Sequence, residues 1–561
     1  MRSRWAYWLI MPALAFVLVQ PGPARAAAKE ELVIGVSQFP TAFHPNLESH
    51  VTQGYVLAMT QRPFTAYNAD WELVCMLCTE LPTFENGLAV VEKQDDGSDG
   101  LALTYTIQED AAWGDGVPVT TDDVLFTYEV GKHPKSGVSN AELYRRITSI
   151  DVIDDKTFTL HVDRVTFDYN GINDFELTPA HLERAIFEED PETYRNRTSY
   201  ETDSANPALH FGPYKITEVS PGAYIVLEAN ETWYGEKPFF KRIILKAIEN
   251  TAALEANLLS GSIDMIAGEA GVTIDQALAF EKRHGGQFNV TYKPGLIYEH
   301  LDLNLDNPIL ADNRVRKALI QGIDRNAISE QLFEGKQPVA HGSVHPLDWV
   351  YFDNVPTYEE NLEAAAALLD EAGWSEIKDG VRHNQEGEPL AFELMTTAGN
   401  RTRELVQQVL QSQWKRLGVD ISIKNEPARV FFGETTNQRK FTGLAMFAWI
   451  SSPENVPRST LHSEEIPTEE NGWAGQNYTG YQNEAMDQLL DAIELELDRG
   501  KREAMWHELQ TLYAGDLPVI PLYFRANPHI WPVWLKGVQP TGHQNSSALA
   551  VENWYAEDGA D

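Results

Sequence analysis

WGDGVPVTTDDV, at residues 113–124, joins a predicted strand to a predicted helix. Two of its glycines flank Asp115, and this composition is typical of a tight turn. Thr120 or Thr121 then precedes two aspartates, and a hydroxyl cap followed by carboxylates favours a helix start because of the helix dipole. The stretch therefore predicts a junction with a folding role rather than a catalytic one.

Short strands and helices alternate along the rest of the chain. Residues 101–107 alternate with the period of two that is typical of a half-buried strand. Residues 401–417 and 483–497 carry apolar side chains at intervals of three and four, which indicates amphipathic helices. Further strands are predicted at residues 31–36, 157–162, 224–229 and 242–248, further helices at 313–321 and 361–372, and loops at 92–100 and 194–207. The pattern predicts a mixed α/β architecture without internal repeats.

The composition indicates a large, acidic, folded protein. The chain has 561 residues, of which 43% are hydrophobic, and this supports a substantial core and two or three domains. Its 44 basic and 83 acidic residues give a net charge of −39 at pH 7. Such a charge repels nucleic acid and anionic lipid, so neither is expected as a partner. We therefore favour a solvated acidic surface over an acid-lined binding cleft. The net charge does not identify a ligand.

The N-terminus has the pattern of a secretory signal. Arg2 and Arg4 precede the apolar run at residues 5–19, and small residues suited to cleavage follow it. The run is shorter than the roughly 20 residues needed to span a bilayer, so residues 1–28 are predicted to be cleaved. No cysteine follows the small residues, and the next residue is Lys29, so no lipid anchor is expected. No later segment approaches an apolar run of about 18 residues, so we expect no membrane insertion.

Two cysteines, Cys75 and Cys78, stand in a C-M-L-C spacing. In an oxidising compartment they are expected to form a local disulfide. Two buried free thiols or a redox or metal role are the alternatives. Zinc would need four ligands, and no second CxxC or HxxxH pattern follows.

Several segments, taken in order, resemble the extracellular solute-binding proteins of family 5, which include periplasmic oligopeptide-, dipeptide- and nickel-binding proteins. Residues 113–124 are similar to the family's W-x-D-G-x-P-x-T-A-x-D-V signature. The other segments are FGPY at 211–214, LEANLLSGSIDMI at 254–266, NRVRKAL and GIDR within 313–325, LLDEAGW at 368–374 and DLPVIPLY at 516–523. Each alone is weak, but their shared order makes coincidence a poor explanation.

The resemblance implies a periplasmic-binding-protein-like α/β fold with two lobes, a hinge of two chain crossings and an extra inserted domain. Domain I would comprise residues 29–61, 209–293 and 522–561, domain II residues 62–208, and domain III residues 294–521. The crossings would lie near residues 294–301 and 521–526. It also implies a monomer without cofactors that captures a peptide-like solute in the periplasm and delivers it to the permease subunits of an ABC importer.

The family's G-W-x-x-D-x-x-D-P segment corresponds here to FAWISSPEN at residues 447–455. Trp449 matches the tryptophan that lines the ligand groove in the family. Ser452 stands where the family's aspartate would hold a peptide's α-ammonium, and a hydroxyl is a weaker partner than a carboxylate. Glu454, two positions on, is a candidate substitute. A free-amine peptide and an amidated, blocked or non-peptide solute therefore both stay open.

Other candidate contacts lie elsewhere in the chain. Tyr298 and Tyr523 fall at the two expected crossings, where ligand contact and core packing are equally plausible for an aromatic ring. Arg439 is a candidate carboxylate clamp, and an exposed ion pair is the alternative. His50 and Val51 are similar in position to the domain I loop that touches ligand in the family.

An exported enzyme is the rival class. The chain contains no G-x-S-x-G, H-E-x-x-H or G-x-x-x-x-G-K pattern, so we expect no enzymatic activity. Within the binding class, a nickel chelate, haem or a short oligosaccharide is the alternative ligand. The scattered histidines show no metal-ligand spacing, so no direct metal site is expected; they are His341, His345, His383 and His462.

Overall fold

The computed structural model describes most of the chain. The described residues are 29–557 without Thr41, Glu48, Ser49, Glu249, Gly472 and Ala474. The predicted signal peptide, residues 1–28, lies outside them. Within the described part, none of the helices is long and apolar enough to cross a membrane.

A mixed sheet of ten strands runs through the described part of the molecule. Its strands, from one edge to the other, are Asp420–Ile423, Ala391–Met395, Leu444–Ile450, Phe288–Leu303, Val519–Pro532, Met265–Ile266, Glu31–Val36, Arg242–Ala247, Tyr224–Ala229 and Tyr214–Ser220. The two long central strands pair antiparallel along their length, with register shifts between Pro294 and Tyr298 and between Glu299 and His300. These shifts divide the sheet into two halves.

Each half of the sheet has its own apolar core, and we name the halves with their packed helices the first and second lobes. The first lobe contains Glu31–Val36 and the strands beside it, and its core includes Leu32, Ile34 and Leu227. The second lobe contains Leu444–Ile450 and the strands beside it. The long central strands belong to both lobes, so the chain crosses between them there.

Helix Arg401–Leu417 shows how the sequence builds the second lobe. The Asn400 side chain accepts a hydrogen bond from the Arg403 N–H at the helix start, and Gly418 ends the helix with φ 84°. This φ lies in the left-handed region that glycine adopts without steric cost. The inward face of helix Arg401–Leu417 buries Val406, Leu410 and Trp414 at intervals of four, as the sequence predicts.

A separate four-stranded sheet lies in the segment between the first two parts of the first lobe. Its strands, in spatial order, are Ala89–Lys93, Asp99–Thr106, Thr157–Val162 and Ile147–Val152. Helix Thr121–Lys132 lies in the chain between strands Asp99–Thr106 and Ile147–Val152, and Thr120 and Asp123 form a reciprocal cap at its N-terminus. Trp113 is fully buried and its Nε1 donates to Asp123 Oδ2 at 3.2 Å. The folding role predicted for residues 113–124 is confirmed.

The remaining elements surround these sheets. Small two-stranded pairs are Thr65–Tyr67 with Leu73–Cys75, Glu376–Lys378 with Val381–His383, and Leu535–Lys536 with Tyr555–Ala556. Other α-helices are Val51–Thr60, Ala141–Arg146, Ala180–Glu189, Tyr194–Arg197, Ser199–Thr202, Thr251–Leu259, Ile274–His284, Pro308–Ala311, Asn313–Gln321, Arg325–Phe333, Leu362–Glu371, Ala428–Val430, Arg458–Leu461, Glu484–Leu495 and Arg499–Asp516. A π-helix spans Phe431–Thr436, and 3₁₀ helices span Pro207–Leu209, Ser463–Glu465 and Ser547–Asn553.

Two predictions of loops or junctions are only partly correct. Residues 92–100 contain the ends of two hairpin strands, and only the turn between them is loop. Residues 194–207 contain two short helices, because the buried Glu183 carboxylate organises this segment. It accepts hydrogen bonds from the Tyr194 hydroxyl at 2.8 Å, the Thr198 hydroxyl at 2.6 Å and the Ser199 N–H at 2.9 Å. The amino-acid composition of residues 194–207 does not reveal hydrogen bonds to a carboxylate outside that segment, so the two helices could not be predicted from it.

Candidate functional site

A cavity of about 950 Å³, counting the solvent at its open side, lies in the second lobe. All the residues that line it fall between Leu296 and Val519. They are Leu296, Tyr298, His300, Asp302, Ser343, Val344, His345, Asp348, Val350, Trp449, Ile450, Ser451, Ser452, Asn455, Pro457, Ser459, Thr460, Leu461, Gln476, Trp506, Tyr513 and Val519. Aromatic and aliphatic side chains thus make up half of the wall, and histidine, aspartate, serine, threonine, asparagine and glutamine side chains make up the other half.

Tyr298 forms a rigid part of the cavity wall. Its hydroxyl lies 3.0 Å from the Tyr513 hydroxyl, and its ring stacks on His300 with centroids 5.1 Å apart. Burial raises the pKa of Tyr298 well above its ordinary value, so the hydroxyl is neutral. The sequence placed Tyr298 at a hinge crossing, and it lies beside the register shift of the long strands.

Trp449 and Ser452 also line the cavity. Trp449 is half-buried at the end of strand Leu444–Ile450, with its ring 5.4 Å from Phe447 and 5.8 Å from Tyr478. Trp449 therefore packs against two aromatic rings and also borders the cavity. The structure therefore brings together three of the predicted site residues: Tyr298, Trp449 and Ser452.

Glu454 is adjacent to the cavity but has partners of its own. Its carboxylate accepts a hydrogen bond from Trp349 Nε1 at 2.9 Å and forms an ion pair with Arg502. Burial raises the pKa of Glu454, while the hydrogen bond and charge of Arg502 oppose that shift. Its backbone has φ 54°, and its N–H donates to Asp348 Oδ2 at 2.8 Å. The Glu454 charge is thus compensated by the protein.

The other predicted residues lie away from the cavity lining. Tyr523 is buried with its ring 5.0 Å from Phe333 in the core of the second lobe. Arg439 donates to Asp306 Oδ2 at 2.7 Å and to a backbone carbonyl. His50 and Val51 are exposed at the N-terminus of a first-lobe helix. A ligand contact by any of the four stays a prediction.

Sequence reasoning missed four polar residues of the cavity wall. His300 and Asp302 lie on one long strand, with His300 Nε2 3.1 Å from Asp302 Oδ1. His345 and Asp348 lie on one loop and are joined by a hydrogen bond from the Asp348 N–H to the His345 carbonyl at 2.9 Å. None of them belongs to a recognisable motif, so only tertiary placement identifies them.

The cavity carries acidic and neutral groups. Among the residues that line it there is no lysine or arginine. Burial raises the pKa of Asp348, against hydrogen bonds from three backbone N–H groups that lower it. Burial also lowers the pKa of His345 to about 4, and the charge of Lys293 acts in the same direction. His345 is therefore a neutral imidazole at physiological pH.

Trp71 and Phe167 belong to the chain segment between the first-lobe strands Glu31–Val36 and Tyr214–Ser220, and both contact the second lobe. The Trp71 ring lies 5.2 Å from the His345 ring. The Phe167 N–H donates to the Glu494 carbonyl at 3.0 Å, and the Arg502 guanidinium lies 4.8 Å from the Phe167 ring centroid. The segment that carries Trp71 and Phe167 is therefore in contact with the second lobe next to the cavity. The space between this segment and the second lobe is called the cleft.

Two further observations bear on the chemistry of the chain. Cys75 and Cys78 are joined by a disulfide. Within the described ranges, no group of three or more histidine, cysteine, aspartate or glutamate side chains is placed to hold a metal ion.

Two lobes joined by a pair of strands, with a cavity beside the cleft, define a protein built to enclose a small solute. Residues 85–465 match the family described as bacterial extracellular solute-binding proteins, family 5 Middle. The match covers more than half of the chain, and the chain belongs to this family. The family and fold class predicted from the sequence are confirmed.

Relatives share both sequence and architecture. The oligopeptide-binding protein AppA of Bacillus subtilis is 26% identical over 476 residues, which cover 83% of each chain. The oligopeptide-binding protein of Thermus thermophilus, solved with a pentapeptide, is 30% identical with a TM-score of 0.73, covering 95% of this chain and 97% of that one. NikA of Brucella suis, solved with Fe(III)-EDTA, is 19% identical with a TM-score of 0.77, covering 94% and 100%, and shows the fold alone.

Proposed function

We propose that the protein captures a peptide or peptide-like solute in the periplasm and delivers it to the permease of an ABC importer. The observation that carries this proposal is the cavity of about 950 Å³, with Trp449 and Tyr298 in its wall, in a family 5 chain. The Thermus thermophilus relative, which was solved with a pentapeptide, supports a peptide as the ligand class. The protein acts by binding and without catalysis, as an exported monomer.

Capture proceeds by hinge closure. The long strands Phe288–Leu303 and Val519–Pro532 connect the lobes, and their register shifts offer a place where the sheet can bend. Contacts of the solute to both sides of the cleft select the closed state, because a ligand shifts such an equilibrium by its differential affinity. We propose the domain division expected from the sequence, with residues 62–208 as the inserted domain that closes on residues 294–521.

Trp449, Tyr298 and Ser452 contact the solute in this proposal. The aromatic faces bury apolar parts of the solute, and the tyrosine and serine hydroxyls add polar contacts. Ordered water in such a cavity can fill the space that side chains of different size leave, and this permits broad specificity.

A ligand screen by thermal unfolding tests the proposal. The panel contains Ala-Ala-Ala, Ala-Phe-Ala and longer alanine-based peptides, neutral oligosaccharides and nickel–histidine. A ligand at about 100 times its dissociation constant stabilises the folded state by roughly 2.7 kcal/mol and raises the melting temperature. Peptides are expected to give the largest shifts. A shift with the sugars or the chelate alone would replace the peptide by that ligand class.

A further inference from the structure

We infer that Asp348 takes the place of the carboxylate missing at Ser452 and binds an ammonium group of the solute, while His345 donates a hydrogen bond to a carbonyl next to it. This inference rests on the proposed function and specifies the solute's chemistry. It assigns recognition to a loop, residues 343–350, that lies far from position 452 in the sequence.

Asp348 is held beside the loop that carries Ser452. Its Oδ2 accepts the N–H of Glu454 at 2.8 Å, only two residues beyond Ser452. Asp348 and Ser452 both line the cavity, so the two residues border the same space from different chain segments. Asp348 is 8% exposed, and a buried carboxylate is costly unless an opposite charge accompanies it.

The protein supplies no cation for Asp348. Among the residues that the structure describes, no lysine or arginine forms an ion pair with it, and its hydrogen-bond donors are backbone N–H groups. The nearby Arg502 is engaged by Glu454. The other acidic residue of the wall, Asp302, has His300 as its neighbour at 3.1 Å. Asp348 is therefore the carboxylate of the cavity that lacks a side-chain partner.

His345 gives an independent indication of the solute. Its Nδ1 accepts the Leu347 N–H at 3.0 Å, so the proton of the neutral imidazole is on Nε2. His345 is 3% exposed and its Nε2 has no hydrogen-bond partner in the protein. A buried donor without an acceptor is costly, so a solute oxygen at this position stabilises the complex.

The two groups together define a chemical pattern. His345 and Asp348 are three residues apart in one turn closed by a backbone hydrogen bond of 2.9 Å, and each side chain is held by its own hydrogen bond, from the Leu347 N–H and the Glu454 N–H respectively. A carboxylate and a neighbouring N–H donor complement an ammonium beside a carbonyl, as in the first residue of a peptide with a free amino terminus. A blocked amino terminus would leave Asp348 buried without a partner.

Calorimetric titration of the purified protein tests the inference. Ala-Ala-Ala and Ala-Phe-Ala are each compared with their N-acetylated forms, and the diamines putrescine and agmatine serve as ammonium compounds without a peptide. We expect the free-amine peptides to bind at least about tenfold more tightly than the acetylated ones. Asp348→Asn should remove this preference and His345→Phe should weaken both forms. Asp353→Asn, an exposed change on the same segment, should leave the preference intact.

The outcomes separate this inference from the proposed function. Equal binding of free and acetylated peptides, or an unchanged preference in folded Asp348→Asn, overturns the role of Asp348 while peptide capture stands. Binding of putrescine or agmatine without any peptide, abolished by Asp348→Asn, supports the ammonium site and overturns peptide capture. If no ammonium compound binds, the inference is wrong. If the melting curve shows that Asp348→Asn does not fold, Asp348→Ser is used in its place in the same titrations.

Discussion

Arg403 Nε donates to Glu299 Oε1 at 2.6 Å, and the Glu299 side chain is inaccessible to solvent. Arg525 forms a second ion pair with the other carboxylate oxygen. Glu299 and Arg525 lie on the two long strands that connect the lobes, and Arg403 lies on helix Arg401–Leu417. The carboxylate therefore ties both crossing strands to the second lobe, beside the register shift between Glu299 and His300.

Glu299→Gln is expected to destabilise the protein by about 3–5 kcal/mol, because it leaves buried guanidinium charge without its partner. Urea unfolding measures the change in free energy. Asp99→Asn is the matched control, since Asp99 pairs with Lys93 on the surface and such pairs contribute at most about 1 kcal/mol. Equal effects of the two substitutions would contradict a structural role of the buried pair.

The same carboxylate predicts a dependence of stability on pH. Burial alone would raise the pKa of Glu299, but the charges of Arg525 and Arg403 outweigh burial and hold it below the ordinary value of 4.5. The unfolded chain then binds the proton more readily, so the stabilisation is complete above that ordinary value and is lost as pH falls through the folded-state pKa. Unfolding free energies measured from about pH 6 to about pH 3 should fall more steeply for the wild type than for Glu299→Gln. Parallel curves would refute the prediction.

Trp449→Ala should weaken solute binding by about tenfold or more, equivalent to about 1.4 kcal/mol, because the indole supplies buried contact area in the cavity. Calorimetry measures the affinity, and a melting curve shows that the variant is folded. Trp534→Ala removes a partly buried tryptophan from the first lobe and is the control. An unchanged affinity in Trp449→Ala would remove Trp449 from the site.

Phe167→Ala should reduce affinity about three- to tenfold although Phe167 does not line the cavity. The substitution removes the ring that packs against Arg502 across the cleft and thereby destabilises the closed state. Small-angle scattering with and without peptide, together with calorimetry, measures closure and affinity. Phe84→Ala, in the same chain segment as Phe167 but packed on Tyr169, is the control. If both variants bind as tightly as the wild type, the contact has no role in closure.

Local patterns predicted much of the fold. Helix Arg401–Leu417 follows from its apolar period and its flanking Asn400 and Gly418, and the ordered family motifs indicated the two lobes. The motif at residues 447–455 pointed to Trp449, which does line the cavity.

The remainder of the site depends on tertiary placement. Asp348 borders the cavity and its carboxylate accepts the Glu454 N–H, and no local pattern encodes a contact between residues so far apart in sequence. Tyr298 and Tyr523 were equivalent candidates at the sequence level. Tyr298 pairs with Phe524 and its neighbour Glu299 pairs with Tyr523, so the alternation of side chains places the two tyrosines on opposite faces of the sheet, and Tyr523 packs in the core while Tyr298 lines the cavity.

The lining of the cavity belongs entirely to residues between Leu296 and Val519. In the proposed function, a solute can therefore bind to the second lobe before the inserted domain closes on it. The association rate of the solute then depends on the second lobe alone. The residence time depends on Trp71 and Phe167, whose contacts with the second lobe must break before the solute is released. A permease that pulls the inserted domain away would open the route for release without rearranging the side chains that line the cavity.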